Sequence, residues 1–422
     1  KLAMAHPPLN SRRQLLQYAA LSGAFAGFSL PVMAAPRDSN LRELLPDSML
    51  KAGRGFSNYG QPSPYEQGVI RWISANQDMP GNGVSWTPLH EMQGTITPNG
   101  LHFERHHNGV PDINPARHQL LIDGLVDQPL AFSVDSLKRY PQQSRICFIE
   151  CGGNSNTGWR SQPVETAAGY AHGLVSNAEW TGVPVKLLLQ EAGISTTARW
   201  AIAEAADGAS LNVSIPLDKL MDDAILALYQ NGERLRPENG YPLRLVLPGW
   251  EGIVNVKWLR QLRLTDAPVM SRDETAQYTD LMPDGSARQF SFEMAAKSLI
   301  TSPSQGMTLP DNPGIYQLTG LAWSGRGKIS RVEVSADGGI TWVDADLQQP
   351  ILSKAFTRFS LPWQWQGQAA VLQSRATDET GYVQPSRDAL IGKRGTHGFF
   401  HFNAIISWEV SEEGYVNHVY PV

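Results

Sequence analysis

The stretch Ile146-Cys147-Phe148-Ile149-Glu150-Cys151-Gly152-Gly153-Asn154 is an apolar run that stops at a Cys-Gly-Gly-Asn turn. Such a run predicts a buried strand over 146–150. Cys151 then stands where the strand passes into a loop, and the two glycines leave room for something bulky. Its thiolate is therefore a candidate ligand for a cofactor. The alternative is a small buried hydrophobic side chain, which is the usual state of a free cysteine.

The bulk composition is that of a globular protein without an affinity for nucleic acid. The 422 residues are enough for about two or three domains. Hydrophobic residues make up 41% of the chain and charged residues 18%. The net charge is -5 and there is no stripe of Lys and Arg, so no nucleic-acid partner is expected.

The two cysteines are predicted to be separate thiols. On an extended strand, Cys147 and Cys151 would lie roughly 13 Å apart. A disulfide needs Cα atoms within about 7 Å of each other. The sequence has no Cys-x-x-Cys-His motif, so we expect no covalently bound haem in this chain.

Residues 1–36 are predicted to be an export signal. The pair Arg12-Arg13 precedes a weakly apolar stretch, and the small residues Ala34-Ala35-Pro36 are typical of a cleavage site. The paired arginines favour the twin-arginine route, so we expect a periplasmic protein. The apolar stretch is shorter than the ~20 residues that span a bilayer, and no membrane span is expected. An N-terminal amphipathic helix is the alternative.

The rest of the chain predicts an α+β protein with two domains. A mixed α/β domain is expected over 37–270, in which residues 40–100 are irregular, followed by a connector over 271–290. Short strands with frequent turns then predict a β-sandwich over 291–422. In the first domain the patterns predict strands at 119–126, 146–150, 243–247 and 256–264, and helices at 134–140, after Ser133 as N-cap, and at 185–192, before Gly193.

Two blocks place basic residues in unusual settings. The segment 103–107 contains Arg105, His106 and His107, which could form a solvated cluster, a metal site or an anion site. Adjacent histidines on a strand face opposite ways, which disfavours a two-histidine metal site. Arg244 and Lys257 lie in apolar runs, where unpaired charges are rare. Each therefore either forms a structural salt bridge or helps to bind an anion.

Taken together, the blocks resemble the sulfite oxidase family of molybdenum enzymes. The motifs occur in the family's order, over about residues 100–410, and continue into a second domain that resembles the family's immunoglobulin-like dimerisation domain. They are Phe103-x-Arg105-x-His107, Cys151-x-Gly153-Asn154, Gly173-x-x-Ser176-Asn177-Ala178-x-Trp180-x-Gly182-Val183, Pro242-x-Arg244 with Pro248-Gly249, Val256-Lys257-Trp258-Leu259, and in the second domain 331–342 and 376–385.

The resemblance implies a molybdenum–molybdopterin cofactor, with one pterin per chain. It makes Cys151 the thiolate ligand of the metal and gives Cys151, Arg105 and Tyr278 catalytic roles. Tyr278 could otherwise be an ordinary connector residue. The resemblance also implies a cofactor-binding set around the pterin and its phosphate, formed by Arg105, His106, His107, Cys151, Asp207, Arg244, Asn255, Val256 and Lys257.

The sequence departs from the sulfite-oxidising members in the pocket that binds the substrate anion. Asn156 stands where these members have an arginine, Thr166 where they have a lysine, and Tyr170 where they have a tryptophan. A late arginine of the second domain corresponds to either Arg394 or His401. Because each charge-assisted contact contributes roughly 1.5–3 kcal/mol, the changes should weaken binding of a small dianion.

This pattern is most similar to the SoxC group of the family, the molybdenum subunits of sulfane dehydrogenases in bacterial thiosulfate oxidation. That similarity implies oxidation of a sulfane sulfur on a cysteine of a carrier protein, with oxygen from water. It implies electron transfer to a c-type cytochrome subunit (SoxD-like), and a homodimer through the C-terminal domain or a heterotetramer. The alternatives are a sulfite dehydrogenase that uses cytochrome c, and a non-catalytic module that keeps the fold.

Overall fold

The computed structural model describes residues 46–50, 52–289, 291–310 and 313–421. The chain divides into two units, residues 1–62 and 63–422. The described part of the first unit contains the 3₁₀ turn Asp47–Met49. The predicted export signal, residues 1–36, lies outside the described residues. In the part of the chain that is described, no helix is long and apolar enough to cross a membrane.

The first part of the second unit is built from three small sheets and short helices. Its strands are β1 (Trp72–Ala75), β2 (Gly83–Trp86), β3 (Glu104–His106), β4 (Gln119–Gly124), β5 (Leu130–Ser133), β6 (Gln143–Glu150), β7 (Val175–Pro184), β8 (Trp200–Ala205), β9 (Asn212–Pro216), β10 (Ile225–Gln230), β11 (Glu233–Arg234), β12 (Arg244–Val246) and β13 (Leu259–Thr265). Its helices are α1 (Val134–Leu137), α2 (Ala168–His172), α3 (Val185–Ala192) and α4 (Leu217–Asp222).

The sheets pair strands that are distant in the sequence. One has the order β1-β2-β3, a second β11-β10-β7-β6 with β12 beside β10, and a third β5-β4-β13-β8-β9. Only β4 and β13 are parallel among these described pairs. Helix α3 buries Val185, Leu188 and Leu189 in the core shared by the last two sheets. It ends at Gly193, whose φ of 72° suits glycine, as the sequence predicts.

The hairpin β1–β2 replaces the irregular structure that was expected there. Turn-forming residues on either side obscure its two short strands in the sequence. The hairpin is held by Trp72 and Trp86, whose ring centroids lie 4.8 Å apart in a stacked arrangement. Cross-strand aromatic pairs of this kind stabilise a sheet.

The connector and the C-terminal part are also more regular than the sequence suggested. A π-helical turn, Asp273–Gln277, precedes the hairpin β14 (Thr279–Leu281) and β15 (Ala287–Gln289). Two sheets follow, with the orders β16-β17-β21-β20 and β19-β18-β22-β23-β24. Their elements are β16 (Lys297–Ser302), β17 (Gly314–Trp323), β18 (Ile329–Ser335), β19 (Val343–Asp344), β20 (Asp346–Leu347), β21 (Thr357–Trp365), β22 (Ala370–Asp378), helix α5 (Arg387–Arg394), β23 (Ser407–Val410) and β24 (Val416–Val419).

This architecture confirms the predicted α+β class, a mixed α/β part followed by a β-rich part. In the β-rich part, strands β16, β20 and β24 and helix α5 were not predicted. Strand β16 begins with Lys297 and Ser298, which are both fully buried. A strand that starts with buried polar residues lacks the apolar pattern by which strands are recognised.

A buried ion pair joins the two parts of the fold behind Cys151. Lys297 on β16 places its Nζ 3.2 Å from Glu150 Oε1 and 2.7 Å from Ser155 Oγ. Trp323 Nε1 donates to the second carboxylate oxygen of Glu150 at 2.7 Å, and Asn154 Nδ2 donates to the first at 2.8 Å. The side chains of Lys297 and Glu150 are 1% and 3% exposed. The two charges, which are removed from water, thus compensate each other.

We expect Lys297→Met to destabilise the protein by about 3–5 kcal/mol, because it leaves the Glu150 carboxylate buried and unpaired. The measurement is the free energy of unfolding in urea. The double change Glu150→Gln with Lys297→Met should recover much of this loss, and Lys328→Met, at an exposed lysine, should change little. Equal loss in the single and double variants would contradict the coupling.

Candidate active site

Cys151 directly follows β6 and begins a turn. This turn is fixed by main-chain hydrogen bonds and by close packing against other segments. The Cys151 N–H donates to Leu174 O at 2.9 Å, and Asn154 N–H donates back to Cys151 O at 2.9 Å. A Cβ at Gly152 would collide with the carboxylate of Glu251. A Cβ at Gly153 would meet the Phe399 ring at 3.3 Å. The two glycines are therefore needed for close packing around the thiol.

The surroundings of the thiol favour its neutral form as long as no metal ion is bound to it. Burial raises the pKa of the Cys151 thiol to about 11, and the N–H of Gly153 opposes this rise. A coordinated metal ion reverses the balance, because it stabilises the thiolate. The other cysteine, Cys147, is fully buried in an apolar cluster, where burial raises its pKa to about 12.

A cavity of about 690 Å³, with its opening included, lies beside Cys151 and is bordered by β3, the end of β8, β12 and the segment 252–258. Most of the residues proposed from the sequence line it together. The lining contains Phe103, Arg105, His106, His107, Cys151, Ala205, Asp207, Leu211, Glu238, Arg244, Gly252, Ile253, Asn255, Val256, Lys257, Trp258 and Tyr278.

Arg244 is a buried cation without a carboxylate partner among the described residues. Its Nη1 donates to Asn239 O at 3.1 Å, and its guanidinium lies 5.1 Å from the centre of the Trp180 ring. Its Nε has no hydrogen-bond partner within the described part of the chain. Burial lowers the pKa of Arg244 to about 9. The salt bridge considered for this residue is not formed, so the charge remains available to an anion in the cavity.

Lys257 is held by main-chain oxygens and a histidine, again without a carboxylate among the described residues. Its Nζ donates to Arg105 O at 3.1 Å, to Glu238 O at 3.2 Å and to His106 Nδ1 at 2.8 Å. Burial lowers the pKa of Lys257 well below its ordinary value, and the charge of Arg244 acts in the same direction. An anion close to both groups would offset their mutual repulsion.

His106 connects Lys257 to a surface-side carboxylate. Its Nδ1 accepts from Lys257, and its Nε2–H donates to Glu104 Oε2 at 2.6 Å. Glu104 is paired in turn with Arg71. Burial lowers the pKa of His106, which fits a neutral ring with the proton on Nε2. This series of hydrogen bonds fixes the direction of the Lys257 ammonium.

His107 and Tyr278 form the corner of the cavity near the thiol. His107 Nε2 lies 3.0 Å from Tyr278 Oη, and Arg105 Nη2 lies 3.5 Å from His107 Nδ1. Burial, followed by the charge of Arg105, lowers the pKa of His107 to about 4. Burial raises the pKa of Tyr278. The neutral imidazole can therefore donate to the phenol oxygen, which leaves the phenolic O–H free to donate into the cavity.

Three of the proposed residues contribute shape more than side-chain contacts. The amide of Asn255 is used within its own loop, since Oδ1 accepts from Leu247 N at 2.7 Å and Nδ2 donates to Glu251 O at 2.9 Å. Val256 is a buried apolar wall. Asp207 Oδ1 accepts from Leu211 N at 3.2 Å. No signal in the sequence distinguished these supporting roles from direct binding.

A second cavity continues from Cys151 to the surface, and we call it the funnel. It has a volume of about 1070 Å³ with its open mouth included. Among its described lining residues, Arg105 is the one group that is cationic at neutral pH. The lining contains Ser74, Ala75, Asn76, Asn82, Gly83, Val84, Trp86, Arg105, His107, Cys151, Gly153, Asn156, Leu174, Gln277, Tyr278, Phe399 and Phe400.

The positions that differ from sulfite-oxidising members are not equally close to the funnel. Asn156 lines it, whereas Thr166 and Tyr170 are not among its described lining residues. Tyr170 packs instead against Trp72, with ring centroids 5.6 Å apart. Both substitutions therefore affect the funnel only indirectly, and Asn156 is the departure that reaches it.

Neither Arg394 nor His401 lines either cavity. Arg394 forms an ion pair with Asp280 and donates from Nη1 to His401 O at 3.2 Å. The segment between them supplies Phe399 and Phe400 to the funnel instead. Sequence reasoning missed this pair of aromatic residues, although a Phe-Phe doublet in a polar loop was a visible signal. It also missed Trp86 and the hairpin β1–β2.

Comparison with known proteins agrees with these features. The family profile described as "Oxidoreductase molybdopterin binding domain" matches residues 107–272. The profile described as "Mo-co oxidoreductase dimerisation domain" matches residues 288–407.

Two curated relatives share about the same part of the chain. The mitochondrial sulfite oxidase of Mus musculus is 29% identical over 357 residues, which cover 78% of this chain and 64% of the relative. "Nitrate reductase [NADH] 2" of Phaseolus vulgaris is 30% identical over 358 residues, which cover 75% of this chain and 40% of the relative. The chain thus spans less than two thirds of the length of either protein.

A solved structure matches over almost the whole chain. The sulfane dehydrogenase SoxCD from Paracoccus pantotrophus superposes with a TM-score of 0.88 at 42% identity, and the match covers 92% of this chain and all of that one. The resemblance expected from the order of the motifs is confirmed. The chain belongs to the sulfite oxidase family of molybdopterin-binding oxidoreductases.

Proposed function

We propose that this protein is the molybdenum subunit of a periplasmic sulfane dehydrogenase. In this proposal it oxidises a sulfane sulfur bound to a carrier-protein cysteine, takes the oxygen from water and passes electrons to a c-type cytochrome. The observation that carries the proposal is the funnel above Cys151, whose described walls hold Arg105 as their single cation and Asn156 in place of a second.

The cavity beside Cys151 fits a molybdopterin whose metal is bound by that thiol. At the other end, Arg244 and Lys257 are buried cations without carboxylate partners among the described residues. The unpartnered Nε of Arg244 and the ammonium of Lys257 are suitable donors for the pterin phosphate. Arg105 would complete this binding set, and His106, whose two ring nitrogens bond to Lys257 and Glu104, would position Lys257. When bound, the cofactor would supply the two-electron oxidation and the transfer of oxygen.

The side chains at the thiol end would orient the substrate sulfur. Tyr278 Oη accepts from His107 Nε2, so its own proton can be donated to an oxygen on the reacting sulfur. Phe400 stacks on Tyr278 with centroids 5.1 Å apart, which fixes the phenol ring. Arg105 lines both cavities and places positive charge where an oxidised, anionic sulfur product would form.

The funnel fits a neutral or singly charged sulfur group better than a free dianion. Its described walls near the mouth carry amides, small residues and aromatic rings. A small dianion would lose water there without gaining several charge-assisted contacts. A sulfur tethered to a peptide brings its own binding energy from the rest of the carrier and does not depend on such contacts.

Free sulfite is the second candidate substrate, and Arg105 is the observation that favours it. The guanidinium lies in the wall of both cavities and could bind one sulfite oxygen. The expected difference is quantitative: one cationic contact supports weak binding, whereas a full anion pocket supports tight binding.

The remaining parts of the proposal concern assembly and location. The match to a dimerisation profile over residues 288–407 supports a homodimer. The SoxCD match supports a SoxD-like cytochrome partner, with a heterotetramer as one arrangement. One pterin per chain and the lack of haem in this chain belong to the same proposal. The paired arginines near the N-terminus support export by the twin-arginine route.

We expect Cys151→Ser to lose turnover by at least the roughly 10–100-fold typical of damage to a metal site. The measurements are molybdenum and pterin content and the reduction of cytochrome c by a protein persulfide. Cys147→Ala, at the other buried cysteine, is the control and should keep both. Full activity of Cys151→Ser would contradict the role of Cys151 and would place the reaction elsewhere.

We expect Asn156→Arg to raise kcat/KM for sulfite by about tenfold or more, because one charge-assisted contact is worth roughly 1.5–3 kcal/mol. The measurement is steady-state kinetics with sulfite and cytochrome c. Thr166→Lys, at a position away from the funnel lining, should have a much smaller effect. If wild type already turns over sulfite as efficiently as a carrier persulfide, the sulfane proposal is wrong.

A further inference from the structure

The outer edge of β1 borders the funnel and is open among the described residues. Within the described ranges, the sheet order β1-β2-β3 gives β1 a partner on one side only. All four residues of β1 are exposed. Ile73 is 65% exposed, and no described strand covers it. An edge strand of this kind can pair with another chain through its main-chain groups.

The free hydrogen-bonding groups of this edge can be assigned from the register. Asn76 N–H donates to Asn82 O at 2.8 Å, and Ser74 lies opposite Val84 in the same ladder. In an antiparallel pair, hydrogen-bonded and non-hydrogen-bonded positions alternate. Ile73 and Ala75 therefore turn their N–H and C=O groups away from β2. These groups offer a partner strand two evenly spaced pairing positions.

The same strand forms part of the funnel wall. Ser74, Ala75 and Asn76 line the funnel that leads to Cys151. A chain that enters the funnel along this wall can therefore lie beside the edge of β1. Across the mouth, Asn156 and Gln277 place side-chain amides in the described wall. Amides can donate to and accept from a peptide backbone without selecting for charge.

We propose that the edge of β1 is the docking site for the extended peptide segment that carries the substrate sulfur into the funnel. The segment adds a strand to the β1-β2-β3 sheet, and the amides at the mouth bind its main chain. This docking site rests on the function proposed above, because it assigns the surface that receives the carrier protein. The neutral mouth selects an uncharged segment, since a buried charge would find no described partner there except Arg105.

The continuity between edge and cavity favours this occupant over others. A cytochrome needs to approach the metal closely but does not need to insert a chain into the funnel. A second copy of this protein would be expected to bind through the part that matches the dimerisation profile, residues 288–407. A segment that delivers a sulfur to Cys151 uses both the edge and the cavity. Main-chain pairing provides affinity in such complexes, and the adjoining pocket provides specificity.

The test replaces Ile73, whose N–H points away from β2. Ile73→Pro removes this donor without removing a bond to β2, and proline is tolerated where the N–H of an edge strand faces solvent. Ile73→Thr keeps the N–H and the β-branched shape and is the matched control. Ile73→Glu keeps the N–H and adds a charge that disfavours strand addition. Circular dichroism and thermal unfolding show whether each holoenzyme is folded.

Two substrates separate docking from chemistry. One is a short uncharged peptide whose cysteine carries a persulfide, and the other is the persulfide of N-acetylcysteinamide, which has no peptide segment. Both are assayed with saturating cytochrome c. We expect Ile73→Pro to raise KM for the peptide by about fivefold to tenfold, as loss of one or two hydrogen bonds predicts. Its kinetics with the small persulfide, and both activities of Ile73→Thr, should match wild type.

An equal change with both substrates would overturn the docking proposal, because the edge would then act on the site or on the electron acceptor. No change with either substrate would overturn it as well. If wild type oxidises neither persulfide, the proposed function fails, and docking is still measured by calorimetry with a methyl-disulfide form of the peptide. Binding of that peptide to wild type and about fivefold weaker binding to Ile73→Pro would support docking on its own. If Ile73→Pro does not fold, Ile73→Glu provides the same comparison.

Discussion

The geometry around Cys151 depends on the buried ion pair between Glu150 and Lys297. Glu150 is the residue before the thiol, and Lys297 belongs to the β-rich part. Two opposite charges that are removed from water this completely tolerate little movement, because each lost contact leaves a costly unpaired group. Asn154 and Trp323 also bond to the carboxylate, so the same carboxylate fixes the turn after Cys151. The second part of the chain is thereby a structural component of the site.

A second group of contacts makes the funnel wall depend on the connector and on the C-terminal part as well. His401 N–H donates to Gly152 O at 2.6 Å, so the C-terminal part also bonds directly to the Cys151 turn. The carboxylate of Asp280, which is paired with Arg394, accepts from Phe399 N–H at 2.8 Å. The connector thus positions the aromatic wall next to the thiol. The funnel wall is thus fixed in part by segments that lie far from Cys151 in the sequence.

Much of the fold and of the candidate site could be predicted from the sequence. The features that could not be predicted were missed for physical reasons. The strand over 146–150, helix α3 and its stop at Gly193 follow from local patterns that packing did not override. The gathering of Arg105, Arg244 and Lys257 around one cavity was expected from motifs, although the salt bridges considered for Arg244 and Lys257 do not form among the described residues. Strand β16 was missed because Lys297 is polar and buried. Phe399 reaches the funnel through a fold-level contact, which no local pattern encodes. The boundaries predicted for the export signal and the domains stay predictions.

The site has a cationic face, with Arg244 and Lys257, and a nearly neutral face at the funnel. Under the proposed function the first binds the cofactor and the second the substrate. On the cofactor face, the cations Arg244 and Lys257 are buried at the cost of lowered pKa values, a cost that an anionic phosphate would offset. On the substrate face, the described wall is nearly neutral, and Asn156 stands where a further cation would draw in a dianion. Under the proposed function, a change of substrate would require changes on the second face alone. We therefore expect the cofactor motifs to persist in relatives at about 30% identity, and the substrate to depend on a few residues at the funnel.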